Sequence, residues 1–265
     1  MDLIEVGGLR LAFERAGEGP PLVLLHGYVG DGPGTWRRQI DELSDAFTVV
    51  AWDAPGSGRS SDPPESFRLP DYADCLAGFV DALGLGRPHV VGLSFGAGLA
   101  LELYRRHPRV PMSLVLAGGY AGWAGSLPPE VVDARLQQVL QFADLPPDRF
   151  VRAVIPTMFS VSAPPEMVEE FAVNVSEFHP AGLRAMARSF AEADLRDVLP
   201  RVDVPTLLLY GDEDVRAPLA VGEELHAAIP ASRLVVMPGV GHVSSVEAAD
   251  LFTAEVRGFL RSVTT

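Results

Sequence analysis

The sequence predicts an α/β domain: a mostly parallel central sheet flanked by helices and interrupted by an all-helical insertion. Three observations carry this reading. Short apolar, β-branched runs alternate with helix-length amphipathic stretches through most of the 265 residues. Those runs are continuously apolar rather than alternating, which suits strands buried on both faces beneath helices. Between residues 122 and 196 the alternation stops: helical periodicity persists without a convincing β run, and the strand–helix pattern then resumes.

Residues 3–6, the pair Gly7-Gly8 and residues 9–13 read as a β-hairpin with a two-glycine turn. Residues 21–26 form an apolar strand ending in His26-Gly27. Residues 35–46 place Trp36, Ile40 and Leu43 on one side of a helix, and residues 47–52 are the next strand. Residues 71–83 are a helix with Tyr72, Cys75, Leu76, Phe79 and Val80 on its apolar side, ended by Gly84. Then come a strand at 89–93, a helix at 95–106 closed by Pro108, and a strand at 113–117. Prolines divide the insertion into helices at 131–142, 147–159, 165–176 and 180–193. The core resumes with a strand at 206–210, a helix at 218–228, a strand at 233–237 and a last helix at 245–260. The expected division is a core of residues 1–121 and 191–265 around a helical insertion of residues 122–190.

Composition narrows the function. Twenty-one basic against 35 acidic residues give a formal charge of −14. Nucleic-acid and anionic-membrane surfaces need clustered cations, so neither is an expected partner. The same balance mildly disfavours highly anionic substrates. The single cysteine, Cys75, excludes an intrachain disulfide and any cysteine-based zinc cluster, and it falls on an apolar helix face. His89, His107, His179 and His226 lack metal partners at useful spacing, so neither metal nor cofactor is expected. The acidic opening Met1-Asp2-Leu3-Ile4-Glu5 is unlike a secretory leader, and no apolar run approaches the roughly 20 residues that span a bilayer. A cytoplasmic monomer or homodimer is the expectation.

The chemistry centres on Gly92-Leu93-Ser94-Phe95-Gly96, a G-x-S-x-G sequence with a strand before it and a helix after it. Such a serine sits on a tight strand-to-helix turn where flanking side chains would clash, beside the free N–H groups of a helix N-terminus. An ordinary glycine-rich turn is the bland alternative, and the flanking elements weigh against it. A serine hydroxyl needs a base. His242, in Gly239-Val240-Gly241-His242, follows the last strand and lies at the carboxyl edge of the sheet, where ligands of open α/β sheets collect. The base in turn needs an acceptor for its second nitrogen. Asp214 in Gly211-Asp212-Glu213-Asp214 takes that role, with Asp212 the next choice and Glu213 read as solvated. Asp53-Ala54-Pro55-Gly56-Ser57-Gly58-Arg59-Ser60 lacks the ending of a phosphate loop and reads as a structural turn.

These motifs, in the chain order Ser94, Asp214, His242, resemble the α/β-hydrolase superfamily over about residues 3 to 262. The likeness includes His26-Gly27, the 53–60 turn, Gly211 with Asp214 and Pro218, and Gly241-His242. It implies an α/β-hydrolase fold whose helical insertion is a cap over the serine. It also implies an oxyanion hole from the N–H groups of Tyr28 and Phe95. The segment 28–34 is richer in glycine than the short tight loop common in that family. His26 is expected to hold this loop by hydrogen bonds rather than to react.

The resemblance implies a serine hydrolase that cleaves small to medium carboxylic esters through an acyl-enzyme. The alternatives are the same triad with other chemistry (perhydrolase or non-haem haloperoxidase-like, lactonase, C–C bond hydrolase) or a ligand-binding sensor with little turnover. Trp36, Trp123 and Met158 are candidate pocket residues, as are Tyr120, Phe142 and Phe159. Val215 and Val243 adjoin the acid and the base and are expected to face the substrate.

Overall fold

The strands follow the apolar runs. In the computed structural model, which describes residues 1–263, they are β1 (Asp2–Val6), β2 (Leu9–Ala16), β3 (Pro21–Leu25), β4 (Thr48–Trp52), β5 (His89–Leu93), β6 (Ser113–Ala117), β7 (Thr206–Gly211) and β8 (Ser232–Met237). Among the described residues these eight form one sheet in the order β1-β2-β4-β3-β5-β6-β7-β8. β1 and β2 pair antiparallel through Gly7 and Gly8, whose φ values of +59° and +83° meet the demand of a two-residue hairpin turn. β2 is antiparallel to β4, and every pairing from β4 to β8 is parallel. Burial tracks position: β4 to β7 are buried at every residue, whereas the edge strands β1 and β8 are largely open.

The helices are α1 (Gly32–Leu43), α2 (Leu69–Ala82), α3 (Phe95–Arg106), α4 (Pro129–Phe142), α5 (Pro147–Val154), α6 (Pro165–Ser176), α7 (Pro180–Glu192), α8 (Leu219–Ala228), α9 (Ser244–Glu247) and α10 (Ala249–Val263). Right-handed crossovers put α2, α3 and α8 on one face of the sheet and α1 on the other; α10, after the last strand, packs on α1. The packing of α2 on α3 agrees. No helix among the described residues is long and apolar enough to cross a membrane.

Three of the boundaries that differ from the sequence reading have a local reason. α1 starts at Gly32, not at residue 35, because Asp31 caps it through Gly34 N–H at 2.7 Å and Pro33 suits a first turn. The helix expected at 147–159 ends at Val154 and passes into a 3-10 turn, Ile155–Thr157, since Pro156 cannot donate to the preceding turn. The last helix is broken at Ala248 (φ −126°, ψ 49°) into α9 and α10.

Trp36 is a correction. Its ring is fully buried between α1 and α10, with centroids 5.8 Å from Phe252, so it fills the core rather than a substrate pocket. Trp36→Ala is therefore expected to cost about 3–5 kcal/mol of stability, read as a lower urea midpoint at unchanged m-value.

The sheet registers place Leu25 opposite Trp52 and Gly92, Leu93 opposite Ala117, Ala117 opposite Leu209, and Gly211 opposite Met237. The carboxyl ends of β3 to β8 thus finish nearly level. The segments that follow them, beginning at His26, Asp53, Ser94, Gly118, Asp212 and Pro238, all emerge at one edge.

Candidate active site

Ser94 joins β5 to α3 with φ 54° and ψ −111°, the only non-glycine residue with positive φ among those described. Such a conformation costs of order 1–3 kcal/mol and persists only where the surroundings enforce it. They do so here. Its N–H donates to Ala117 O on β6 at 2.8 Å. A Cβ at Gly92 would stand 2.2 Å from Gly96 O, and one at Gly96 would stand 2.3 Å from Leu25 O. The helix N-terminus therefore lies directly on β3 and β5, and the two flanking glycines are a steric requirement. The turn holds the Ser94 side chain at the sheet edge, largely buried.

Asp214 and His242 meet there from neighbouring loops, Nδ1 lying 2.8 Å from Oδ2, both side chains buried. The other carboxylate oxygen accepts the N–H groups of Arg216 and Ala217, each at 2.8 Å, so the carboxylate is fixed from both sides. A carboxylate only accepts, so the imidazole carries its proton on Nδ1 and leaves Nε2 as the basic nitrogen. Asp212, the other possible acceptor, takes Gly239 N–H at 2.6 Å and pins the loop before the histidine instead. Glu213 is exposed. His242 and Ser94 line the same cavity, but no hydrogen bond joins them in this structure. Contacts of this kind in a free enzyme often tighten only with substrate bound.

The backbone at His242 is held by the helical segment between β6 and β7. Met158 O accepts the N–H groups of His242 (2.8 Å) and Val243 (3.1 Å). Glu247 on α9 accepts from Gly241 N–H at 2.8 Å, from Ser160 N–H at 3.2 Å and from the Ser160 hydroxyl.

Gly27 and Tyr28 pass beside the serine. A Cβ at Gly27 would lie 3.7 Å from Ser94 Cβ. Among the described residues, the N–H groups of Tyr28 and Phe95 have no hydrogen-bond partner in the protein, which leaves both available to a ligand oxygen. His26 holds this loop as expected. Its Nε2 accepts Ala54 N–H at 3.0 Å, which places the ring proton on Nδ1, donated to Gly27 O at 2.6 Å. Burial lowers its pKa and favours that neutral form. Asp53 organises the adjoining turn by accepting Gly32 N–H at 3.0 Å and Arg59 N–H at 2.9 Å.

A cavity of about 160 Å³ opens over Ser94 and His242. Of the candidate pocket residues, Trp123, Val215, Tyr120 and Phe142 line it, while Met158 and Val243 line a small adjoining space beside Ser94. Trp36 and Phe159 line neither; Phe159 packs edge-on against Phe171, centroids 5.6 Å apart. Sequence reasoning missed Arg135 and Arg216, both on the cavity wall. The signal for Arg216 was its place two residues beyond the acid; a cation in an acidic turn reads as solvated. A larger groove of about 950 Å³ between α1, α6 and residues 244–251 lies apart from this site.

The model of the alpha/beta hydrolase fold family matches residues 20–249. The chain belongs to that family. The candidate carbamate hydrolase RutD of Cronobacter turicensis is 31% identical over 253 residues, covering 92% of each chain. The pimeloyl-[acyl-carrier protein] methyl ester esterase of Vibrio vulnificus is 27% identical, covering 94% of this chain and 97% of its own. Among solved structures, a thermophilic esterase from Thermogutta terrifontis superposes with a TM-score of 0.92 at 30% identity, covering all of both chains. The enol-lactonase of Burkholderia xenovorans LB400 superposes at 0.89 and 27%, covering 98% of this chain and all of its own.

Burial raises the Asp53 carboxyl to about 6, against the pull of the two N–H groups it accepts. An acid whose pKa is higher folded than unfolded favours folding while protonated. That contribution, roughly 3 kcal/mol, is complete below about pH 4 and fades as the pH climbs to about 6. The stability deficit of Asp53→Asn relative to wild type is therefore expected to shrink between pH 4.5 and 7, measured by urea unfolding at each pH; a deficit that grows with pH would contradict the burial argument.

Proposed function

We propose that this chain is a serine hydrolase of small to medium carboxylic esters. The observation that carries the reading is a strained serine sharing one cavity with a buried, carboxylate-oriented imidazole. Ser94 Oγ attacks the ester carbonyl as its proton passes to His242 Nε2. The N–H groups of Phe95 and Tyr28 receive the charge that develops on the carbonyl oxygen, a contribution worth on the order of 100-fold or more per donor. The protonated imidazole, held by Asp214, gives its proton to the departing alcohol. Water then attacks the acyl-serine with His242 again as base, releasing the acid and restoring the hydroxyl.

Residues 122–190 serve as the cap of this site and the rest of the chain as its catalytic core. In support, α4, α5 and α7 contribute Arg135, Phe150 and Leu183 to the cavity that contains Ser94. The volume lies below the ~300–1,000 Å³ usual for drug-sized ligands, which favours a compact acyl or alcohol group over a polymer. The esterases among the similar proteins support the ester reading. A lactone is an internal ester opened by the same two steps, and the likeness to an enol-lactonase favours it as the second reading.

Turnover of short p-nitrophenyl esters tests the proposal. Ser94→Ala is expected to lose on the order of 10⁴–10⁶ in kcat, and Asp214→Asn on the order of 10⁴ through the wrong imidazole tautomer. Full turnover by Ser94→Ala would remove the serine from the chemistry. Ring-opening of simple lactones, followed by acid release at constant pH, separates the second reading from the first.

A further inference from the structure

The chain carries a large acidic excess, yet no acidic residue among those described lines the cavity over Ser94, whereas two arginines do. Arg216 sits between core and cap. One guanidinium N–H donates to Thr157 Oγ1 at 2.8 Å, and the group lies over the Tyr28 ring, 5.4 Å from its centroid. Arg135, on α4, donates to the Tyr120 hydroxyl and to Arg216 O, each at 3.1 Å. The ion pairs among the described residues, from Arg37–Glu14 to Arg257–Asp45, include neither arginine. The nearest acid in sequence, Asp214, makes no ion pair with the Arg216 guanidinium; its oxygens take His242 and two backbone N–H groups.

A guanidinium has five N–H donors and stays charged. Burial lowers the Arg216 pKa only to about 10, so it remains cationic at neutral pH. Both side chains are half-buried, and a cation partly withdrawn from water without a carboxylate is costly unless a ligand completes it. From this we infer that the substrate of the proposed hydrolase carries a free carboxylate remote from the reacting carbonyl, received by Arg216 and Arg135. The cavity reverses the sign of the molecule as a whole: net charge sets the distant field, whereas these two groups set the field where the substrate lies.

This inference rests on the ester reading, and two measurements separate their failures. The first compares kcat/KM for monomethyl esters of C4 to C8 dicarboxylic acids with methyl esters of the matching monocarboxylic acids. Wild type is expected to favour the half-ester by about tenfold or more at one chain length, equivalent to a single well-formed charge contact. Arg216→Met and Arg135→Met should bring that ratio toward one, mainly through KM, and Arg216→Lys should retain part of it. Because each variant is judged on the ratio of two substrates, a general loss of folded enzyme cancels. A wild-type preference for the neutral esters, or a ratio unmoved by both Met variants, overturns the proposal. The second measurement needs no turnover: free C4 to C8 dicarboxylates should raise the wild-type Tm and raise that of Arg216→Met less. Stabilisation without hydrolysis of either ester series would keep the anion site and sink the ester reading. Stabilisation by inorganic phosphate alone would overturn the carboxylate assignment.

Discussion

The close approach of α3 to the sheet is the constraint on which the site depends. With hydrogen in place of a side chain at Gly92 and Gly96, the first turn of the helix lies against β3 and β5, and the chain between them has no relaxed path. The backbone at Ser94 is left in a left-handed conformation, tied to β6 by its own N–H. That cost is offset by the surrounding sheet, whose inner strands are buried throughout. Stability stored in a parallel core is thus applied at one residue, and the hydroxyl is delivered to the edge where five other segments converge. A looser helix contact would let the serine relax and lose its direction.

Convergence at that edge also explains how side chains from distant parts of the chain acquire defined orientations and ring tautomers. Asp214 is fixed by the backbone that follows it and by the ring it orients. His26 is neutral because it joins the ends of β3 and β4 through an accepting and a donating nitrogen. In each case geometry set by level strand ends decides which nitrogen holds the proton. The polar groups of the site are consequently organised before any ligand arrives, which is the condition for electrostatic stabilisation without rearrangement.

The legible parts of the molecule were those where one local pattern has one structural solution. Strands buried on both faces leave unbroken apolar runs, so β3 to β7 could be placed from sequence nearly to the residue. The placement of Ser94 and His242 at one sheet edge, and the loop-holding contacts of His26, followed from small residues and strand ends. Ambiguity arose where neighbouring residues carry the same chemistry: Asp212 and Asp214 share one turn, and only the path of the loop gives Gly239 to one and His242 to the other. Trp36 was misread because helical spacing identifies an inward face but not whether that face meets another helix or a cavity. Arg135 and Arg216 were illegible for the opposite reason. Their partial burial comes from Tyr28, Tyr120 and Thr157, contacts that no local pattern encodes.

The carbonyl of Met158 joins the 122–190 insertion to the segment that carries His242, since it accepts both N–H groups at the start of that segment, and the Glu247 bridge reinforces it a few residues away. The insertion is therefore not an interchangeable module seated on a finished scaffold. Transplanting it whole from a homologue would replace part of the histidine's mounting; on the proposed function, a misfit there would register as slow chemistry rather than as altered selectivity. On the same proposal, diversification of substrate range is freest at α5, whose Phe150 and Val154 reach the chamber without a hydrogen bond to His242 or to Asp214.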